Sequence, residues 1–228
     1  MFYLCITFAI IIPYLICSIN PAIIAAKLKH GKDIREMGSG NPGLTNALRT
    51  MGKRAAVVVL LFDVLKGVIS VLAVWFFCSF AFPGMDSSAI PYRFQHEVQL
   101  FLWLAMLASV MGHCFPLYYK FKGGKAVLVT VAALFVVDWL SALILLSLFI
   151  LIVAATRYVS LGSVIAAGLF PLCVLLLGTF VWDYSPRIIQ TGAFFSGLIA
   201  GVLISKHRGN IQRLIAGTEK RLGKKEQE

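Results

Sequence analysis

Charge is scarce in this chain: 14% of its 228 residues are Asp, Glu, Lys or Arg, where a soluble globular domain carries about 25%. Hydrophobic residues make up 59%, and they form long runs with no helical or strand striping. That excludes a water-solvated fold and makes lipid the solvent. Cysteine pairs are missing too. Cys5, Cys17, Cys78, Cys114 and Cys173 stand singly, at no metal or redox spacing, and are expected as small apolar residues. The four histidines have no ligand partners at suitable spacing, so no metal and no other cofactor is expected. A Gly-x-Ser-x-Gly elbow is absent, which argues against a covalent serine mechanism. No cation precedes Lys27, so the first apolar run lacks the positive flank of a signal peptide and is expected to remain as a span. Internal repeats and low-complexity tracts are absent as well.

What is there is a series of apolar stretches joined by polar loops. A span needs about 20 apolar residues, and spans are expected at 2–26, 55–80, 98–118, 126–137, 140–156, 163–181 and 188–205. Asp138-Trp139 interrupts the run 126–156. A lone carboxylate at mid-bilayer is unfavourable, so a tight turn is expected there, between two short, tilted or partly buried helices. With this division 18 of the 21 Lys and Arg residues fall on one side, leaving Arg93 and Arg187 opposite and Lys66 inside a span. The positive-inside rule makes the loaded side cytosolic. The expectation is an all-α, polytopic integral membrane protein with about seven transmembrane helices. Its amino terminus lies outside, its carboxyl terminus is cytosolic, and 1–228 forms a single membrane-embedded domain. The net charge of +11 then reports cytosolic loops rather than a nucleic-acid partner. Segment 82–97, with Pro83-Gly84 and Pro91, looks like an external connector. The cytosolic tail 206–228 is expected to fray after Gly217 or to lie on the anionic leaflet.

Three cytosolic loops, within 38–50, 112–126 and 156–163, concentrate glycine, hydroxyl, amide and cation. The first contains Ser39-Gly40-Asn41-Pro42-Gly43-Leu44-Thr45-Asn46. Gly38, Gly40 and Gly43 permit positive backbone dihedrals, and successive N–H groups in such a turn form an anion-binding nest. Ser39, Asn41, Thr45 and Asn46 add neutral donors, and Arg49 adds a planar fork suited to phosphate. Thr45 and Asn46 are also candidate helix caps. The second loop, Lys122-Gly123-Gly124-Lys125, sets two cations around bare backbone at a helix amino terminus. It lacks the spacer and the Ser/Thr of a Walker A loop, so nucleoside triphosphate binding is not expected. The third offers Arg157, Tyr158, Ser160 and Ser163, with either serine a candidate cap. Together the loops suit a phosphorylated ligand. His207 and Asn210 share a face if the last helix continues. Asp63 and Lys66, at i, i+3 inside a span, are expected as an ion pair supporting the first loop, and His113 as a structural residue at a helix end.

These motifs occur in order: Ser-Gly-Asn-Pro-Gly-x-Thr-Asn, then Gly-His-x-x-Pro with Phe-Lys-Gly-Gly-Lys, then Tyr-x-Ser-Leu-Gly-Ser, then His-x-x-Asn-Ile-Gln-Arg-Leu. From about Pro13 to Glu219 they resemble the PlsY family of bacterial acyl-phosphate:glycerol-3-phosphate acyltransferases. Ala126 departs from the pattern, standing where that family usually has a further glycine. The resemblance implies transfer of a fatty acyl group from acyl phosphate to the sn-1 hydroxyl of glycerol 3-phosphate. The products are lysophosphatidic acid and inorganic phosphate, in the first committed step of bacterial phospholipid synthesis. It implies catalytic roles for Ser39, Asn41, Lys125, Ser160 and His207. Substrate-binding roles fall on Gly40, Gly43, Thr45, Asn46, Arg49, Gly123, Gly124 and Asn210. Under it the backbone of Gly123, Gly124 and Lys125 holds the donor phosphate, while Arg49, Ser160, His207 and Asn210 hold glycerol 3-phosphate. It also implies the bacterial cytoplasmic (inner) membrane, a site facing the cytosol, the lipid bilayer as a partner, and a functional link to an enzyme that forms acyl phosphates.

The chemistry of the residues is compatible with that reaction. A mixed anhydride is already activated, so positioning and charge stabilisation can replace a nucleophile, a metal and ATP. The hydroxyl proton can pass to the leaving phosphate or to His207. No aspartate lies five residues after any histidine, so the His-x-x-x-x-Asp signature of other glycerolipid acyltransferases is missing. The rival reading is a membrane transporter for a phosphorylated small anion, which predicts repeats and polar groups at mid-bilayer; here the polar residues crowd one face.

Overall fold

A computed structural model describes residues 1–81 and 96–223. Every regular element among them is helical. The chain, expected as one domain, divides into two compact units, Met1–Val137 and Asp138–Glu228.

The first unit opens with α1 (Phe2–Ser18) and α2 (Pro21–His30), two helices that together cover the single span expected at 2–26. Ile19 and Asn20 are extended between them. Asn20 starts α2 as an N-cap: its Oδ1 accepts from Ile23 N at 3.0 Å, and Pro21 supplies a first-turn residue that needs no donor. Gly31, at φ +66°, ends α2 in the left-handed region. A single 3-10 turn over Ile34–Glu36 leads to α3 (Leu44–Met51), and Gly52 at φ +83° passes the chain to α4 (Lys53–Ala81). After the undescribed stretch come α5 (His96–Cys114) and the short α6 (Val127–Val137). The connector expected at 82–97 lies outside the described residues except for His96 and Glu97, which open α5.

Within this unit α1 packs on α5 and α4, and α4 packs on α5 and α6. Glycine sets the close approaches. A Cβ at Gly67 of α4 would lie 2.9 Å from the Val129 carbonyl of α6. A Cβ at Gly112 would strike the Tyr14 backbone. Ala22, Ile23, Ala26, Ile34, Ala47, Met51 and Val59 form a small core beneath the first loop. Ile34 is wholly buried there, a burial that contributes roughly 1.5–3 kcal/mol and anchors the loop to α2, α3 and α4.

The second unit comprises α7 (Trp139–Thr156), α8 (Val159–Phe180), α9 (Pro186–Lys206) and α10 (Arg208–Ile215). Asp138 caps α7, accepting from Ser141 N at 3.3 Å and from the Ser141 hydroxyl. The turn expected at Asp138-Trp139 is therefore a helix start, and α6 and α7 are separate. Arg157, at φ +62°, ends α7. α8 packs against both α7 and α9. Among the described residues, counting Phe2–His30 as one, six helices are long and apolar enough to cross a membrane, and Val127–Val137 is a shorter apolar one.

Candidate active site

In the first unit, one buried amide organises the first loop. Asn46 is 1% exposed. Its Oδ1 accepts from Ser39 N at 2.9 Å, and its Nδ2 donates to Met37 O at 2.9 Å and Ile34 O at 3.3 Å. Neither Asn46 nor Thr45 is the expected cap, because Gly43 occupies the N-cap of α3 and gives it no side-chain bond. Gly38 and Gly40 adopt φ +58° and +71°, the region that favours glycine. Gly43 corrects the expectation of a third such turn: it is extended at φ −153°, and its missing side chain instead leaves room for the Asn41 amide, 3.0 Å from where a Cβ would sit. This folding leaves Ser39, Thr45 and Arg49 exposed and Asn41 half-buried.

Two residues tie the first loop to its surroundings. Asn20 Nδ2 donates to Pro42 O at 3.2 Å. The Arg35 guanidinium donates through Nη1 to Tyr119 O and Lys122 O, both at 3.0 Å, and pairs with Asp33 at 2.8 Å. Hydrogen bonds from Arg35 hold the Asp33 carboxyl below its usual range. Arg35 was not a candidate site residue, yet it straps the first loop to the second.

The second loop differs from expectation in its donors. Gly123 N donates to Cys114 O at 3.2 Å and Gly124 N to His113 O at 3.1 Å. Those two amides fasten the loop to the end of α5 and are not turned to a phosphate. Both glycines are sterically required, since a Cβ at Gly123 would strike His113 O and one at Gly124 would strike the His113 ring. Lys125 is half-buried just ahead of α6. Ala126 adopts φ +58°, which explains physically why a glycine suits that position.

In the second unit, Ser160 and Asn210 meet on the carboxyl-terminal segment. Ser160 is 5% and His207 3% exposed. Ser160 Oγ donates to Glu219 Oε1 at 2.8 Å, Asn210 Nδ2 to the same oxygen at 2.6 Å, and Arg213 Nε to Oε2 at 2.7 Å. Burial alone would raise the Glu219 carboxyl. The bonds from Asn210, Ser160 and Arg213 outweigh it and hold the group below its usual range. Neither serine is the expected cap, because Tyr158 is the N-cap of α8 and Ser163 bonds back to Val159 O at 2.9 Å. His207 stands at the junction of α9 and α10. Its Nδ1 lies 2.8 Å from Leu203 O. A carbonyl only accepts, so Nδ1 carries the proton and Nε2 is the basic nitrogen of the neutral ring.

The tail also corrects expectation. Past Gly217 it does not fray at once: Leu222 N donates to Arg157 O at 2.8 Å, and Arg221 Nε donates to the Tyr158 hydroxyl at 3.1 Å with its guanidinium over the ring. Glu219 was missed because only its bonds to Ser160 and Asn210, 59 and 9 residues away, reveal it. Among the described residues no three His, Cys, Asp or Glu gather as a metal site.

Comparison with known proteins draws these observations together. A family described as glycerol-3-phosphate acyltransferase matches residues 7–217. A glycerol-3-phosphate acyltransferase of Chlorobaculum tepidum is 40% identical over 230 residues, covering 93% of this chain and 94% of the relative. One from Clostridioides difficile is 37% identical over 217 residues, covering 95% of each. Among solved structures, the glycerol 3-phosphate form of PlsY (YgiH), an integral membrane glycerol 3-phosphate acyltransferase, superposes with a TM-score of 0.75 at 36% identity and 96% coverage of both chains. Its lysophosphatidic acid form gives 0.71 at 35% identity, covering 96% of this chain and 95% of that one. These matches set the transporter reading aside. With loops, helices and nearly the full length in agreement, the chain belongs to the glycerol-3-phosphate acyltransferase family and is an integral membrane acyltransferase of phospholipid biosynthesis.

Proposed function

We propose that the acyl donor is an acyl phosphate and that transfer is to the sn-1 hydroxyl of glycerol 3-phosphate, giving lysophosphatidic acid and inorganic phosphate. The observation that carries the donor is the histidine chemistry. None of His30, His96, His113 and His207 begins a His-x-x-x-x-Asp motif, so the chain lacks the catalytic pair of the thioester-using class, while its conspicuous loops supply cations and amides. The solved relatives are named for glycerol 3-phosphate and lysophosphatidic acid forms, which fits acceptor and product.

In this reading Lys125 and the first-turn amides of α6 hold the donor phosphate, since a helix amino terminus presents unpaired N–H groups and partial positive charge. Gly123 and Gly124 shape that loop rather than donate. Ser39, Asn41 and Thr45 face the reaction from the first loop, and Gly40, Gly43 and Asn46 hold its form. Arg49, Ser160 and Asn210 recognise glycerol 3-phosphate. That Ser160 and Asn210 already grip a carboxylate supports an affinity for oxyanions. The acceptor oxygen attacks the acyl carbon, the bond to the phosphate oxygen breaks, and the hydroxyl proton ends on the departing phosphate. His207 Nε2 accepts a hydrogen bond from the hydroxyl and orients it. Charge stabilisation by fixed cations and dipoles supplies much of the acceleration.

Seven spans, with the amino terminus outside and the site on the cytosolic face of a bacterial inner membrane, accord with the distribution of Lys and Arg. An enzyme that makes acyl phosphates must act upstream. The test is phosphate release by purified protein from acyl phosphate and glycerol 3-phosphate, without ATP, CoA or added metal, against acyl-CoA as control donor. Turnover with acyl-CoA but not with acyl phosphate refutes the proposal.

A further inference from the structure

A buried polar cluster lies behind the second loop, and the roles given above to the loops do not use it. Lys66, on α4, points its Nζ at three groups: Ile19 O at 2.8 Å, Asp63 Oδ1 at 2.9 Å and His113 Nδ1 at 3.0 Å. All three side chains are under 10% exposed. The Ile19 carbonyl is available because the chain leaves helical geometry between α1 and α2. An ammonium has three donors and no acceptor, so Nζ can only donate to Ile19 O and His113 Nδ1 while it pairs electrostatically with Asp63.

The ammonium's lack of an acceptor decides where the His113 proton sits. Nδ1 faces an ammonium and must accept. Asp63 Oδ1, the other candidate partner of Nδ1, is 3.6 Å away, beyond hydrogen-bond range. The neutral ring therefore carries its proton on Nε2. Nε2 in turn abuts Gly124: a Cβ added there would fall on Nε2 and would lie 3.2 Å from the Pro42 carbonyl of the first loop. Pro42 is itself held by Asn20. The same histidine offers its backbone carbonyl to Gly124 N. Ring and main chain of one residue thus bracket Gly124 where the two loops meet.

We propose that His113 is a positioning residue of the acyl transfer, locked by the buried Lys66–Asp63 pair as the Nε2–H tautomer and so holding Gly123-Gly124 in register with the first loop. This replaces a purely structural ion pair by a device that sets the geometry of the loop preceding Lys125. The activity readout rests on the proposed acyl-phosphate reaction; the tautomer readout does not.

The experiment uses full-length protein in lipid nanodiscs with 15N-labelled histidine. The His113 resonances, assigned by their loss in His113→Gln, should show a protonated Nε2 and an unprotonated Nδ1; a protonated Nδ1 in the wild-type protein overturns the proposal. A Lys66→Met, Asp63→Asn double variant removes both charges together, which cores tolerate better than one orphaned charge. It should keep its melting temperature within a few degrees, show mixed tautomers, and lose roughly 30- to 100-fold in kcat with KM changed less than about threefold, since small misplacements near the reacting atoms cost on that order. His113→Gln, whose amide places an N–H near Nε2, should stay within about tenfold of wild type, and His113→Leu should fall with the double variant. Wild-type kcat in either the double variant or His113→Leu overturns the proposal. Wild-type protein inactive with acyl phosphate, yet with the expected tautomer, refutes the donor assignment and leaves the lock standing.

Discussion

Replacing Glu219 with Ala should release the carboxyl-terminal segment from α8. Its Oε1 accepts from Ser160 at 2.8 Å and from Asn210 at 2.6 Å, and a hydrogen bond to an ionised group contributes about 1.5–3 kcal/mol. The Arg213 pair is 48% exposed on the arginine side, so it adds no more than about 0.5 kcal/mol. Desolvation of the carboxylate offsets part of this, leaving about 2 kcal/mol, or about a thirtyfold rise in opening. Hydrogen exchange at Leu222, whose amide is bound to Arg157 O, reports that opening directly. Glu219→Gln keeps one acceptor and loses the charge, so about fivefold is expected. The folded-state Glu219 carboxyl is depressed. Its contribution is therefore complete above the unfolded value near about 4.3 and is lost as pH falls through the lower folded value. The segment should stay docked between pH 5 and 8 and open only in acid. Leu222 exchange in Glu219→Ala equal to wild type would refute the reasoning, as would opening at neutral pH in the wild type.

Four further outcomes are expected. Gly124→Ala should drop kcat more than tenfold in the phosphate-release assay, because its methyl must displace the His113 ring, an overpacking that costs about 1–3 kcal/mol. Ala126→Gly should raise the melting temperature by about 2–4 °C, because it relieves the left-handed φ of +58° at roughly 1 kcal/mol. Asn46→Ala, which removes three bonds to the first loop, should cost about 2 kcal/mol by thermal unfolding and lower kcat together with stability. Lys125→Ala and Asn41→Ala should each cut turnover by about a hundredfold or more with an unchanged melting curve; near-normal rates in either would remove that residue from the site.

The helices were legible because lipid imposes long apolar runs, and the Asp138 turn because a carboxylate has few homes inside them. The break at Ile19–Asn20 was hidden, since Asn20-Pro21 sits in an otherwise unbroken apolar run and its consequence depends on Lys66, 47 residues on. The loop motifs were visible as composition, but composition does not say which polar atoms face inward. Asn46 looked like a ligand or a cap and is instead the internal brace of its loop. Gly123 and Gly124 looked like amide donors and are spacers whose N–H groups are taken by α5. Arg35 and Glu219 act through partners 87 and 59 residues distant, a separation no local pattern encodes.

The brevity of α6 has a consequence for the surrounding bilayer. Eleven residues rise only about 16 Å, roughly half the hydrocarbon thickness. On the topology proposed above both ends of α6 reach an interface, the Lys125 end on the cytosolic side and the Asp138 end, whose carboxylate accepts from Ser141, on the other, so the bilayer must thin around this helix. Hydrophobic mismatch is then concentrated at one helix, and leaflet thickness governs how deep the glycine loop rides beneath the head groups. Reconstitution in lipids of graded acyl length should shift the enzyme's chain-length optimum, because the same thickness sets where an inserted fatty tail places its carbonyl.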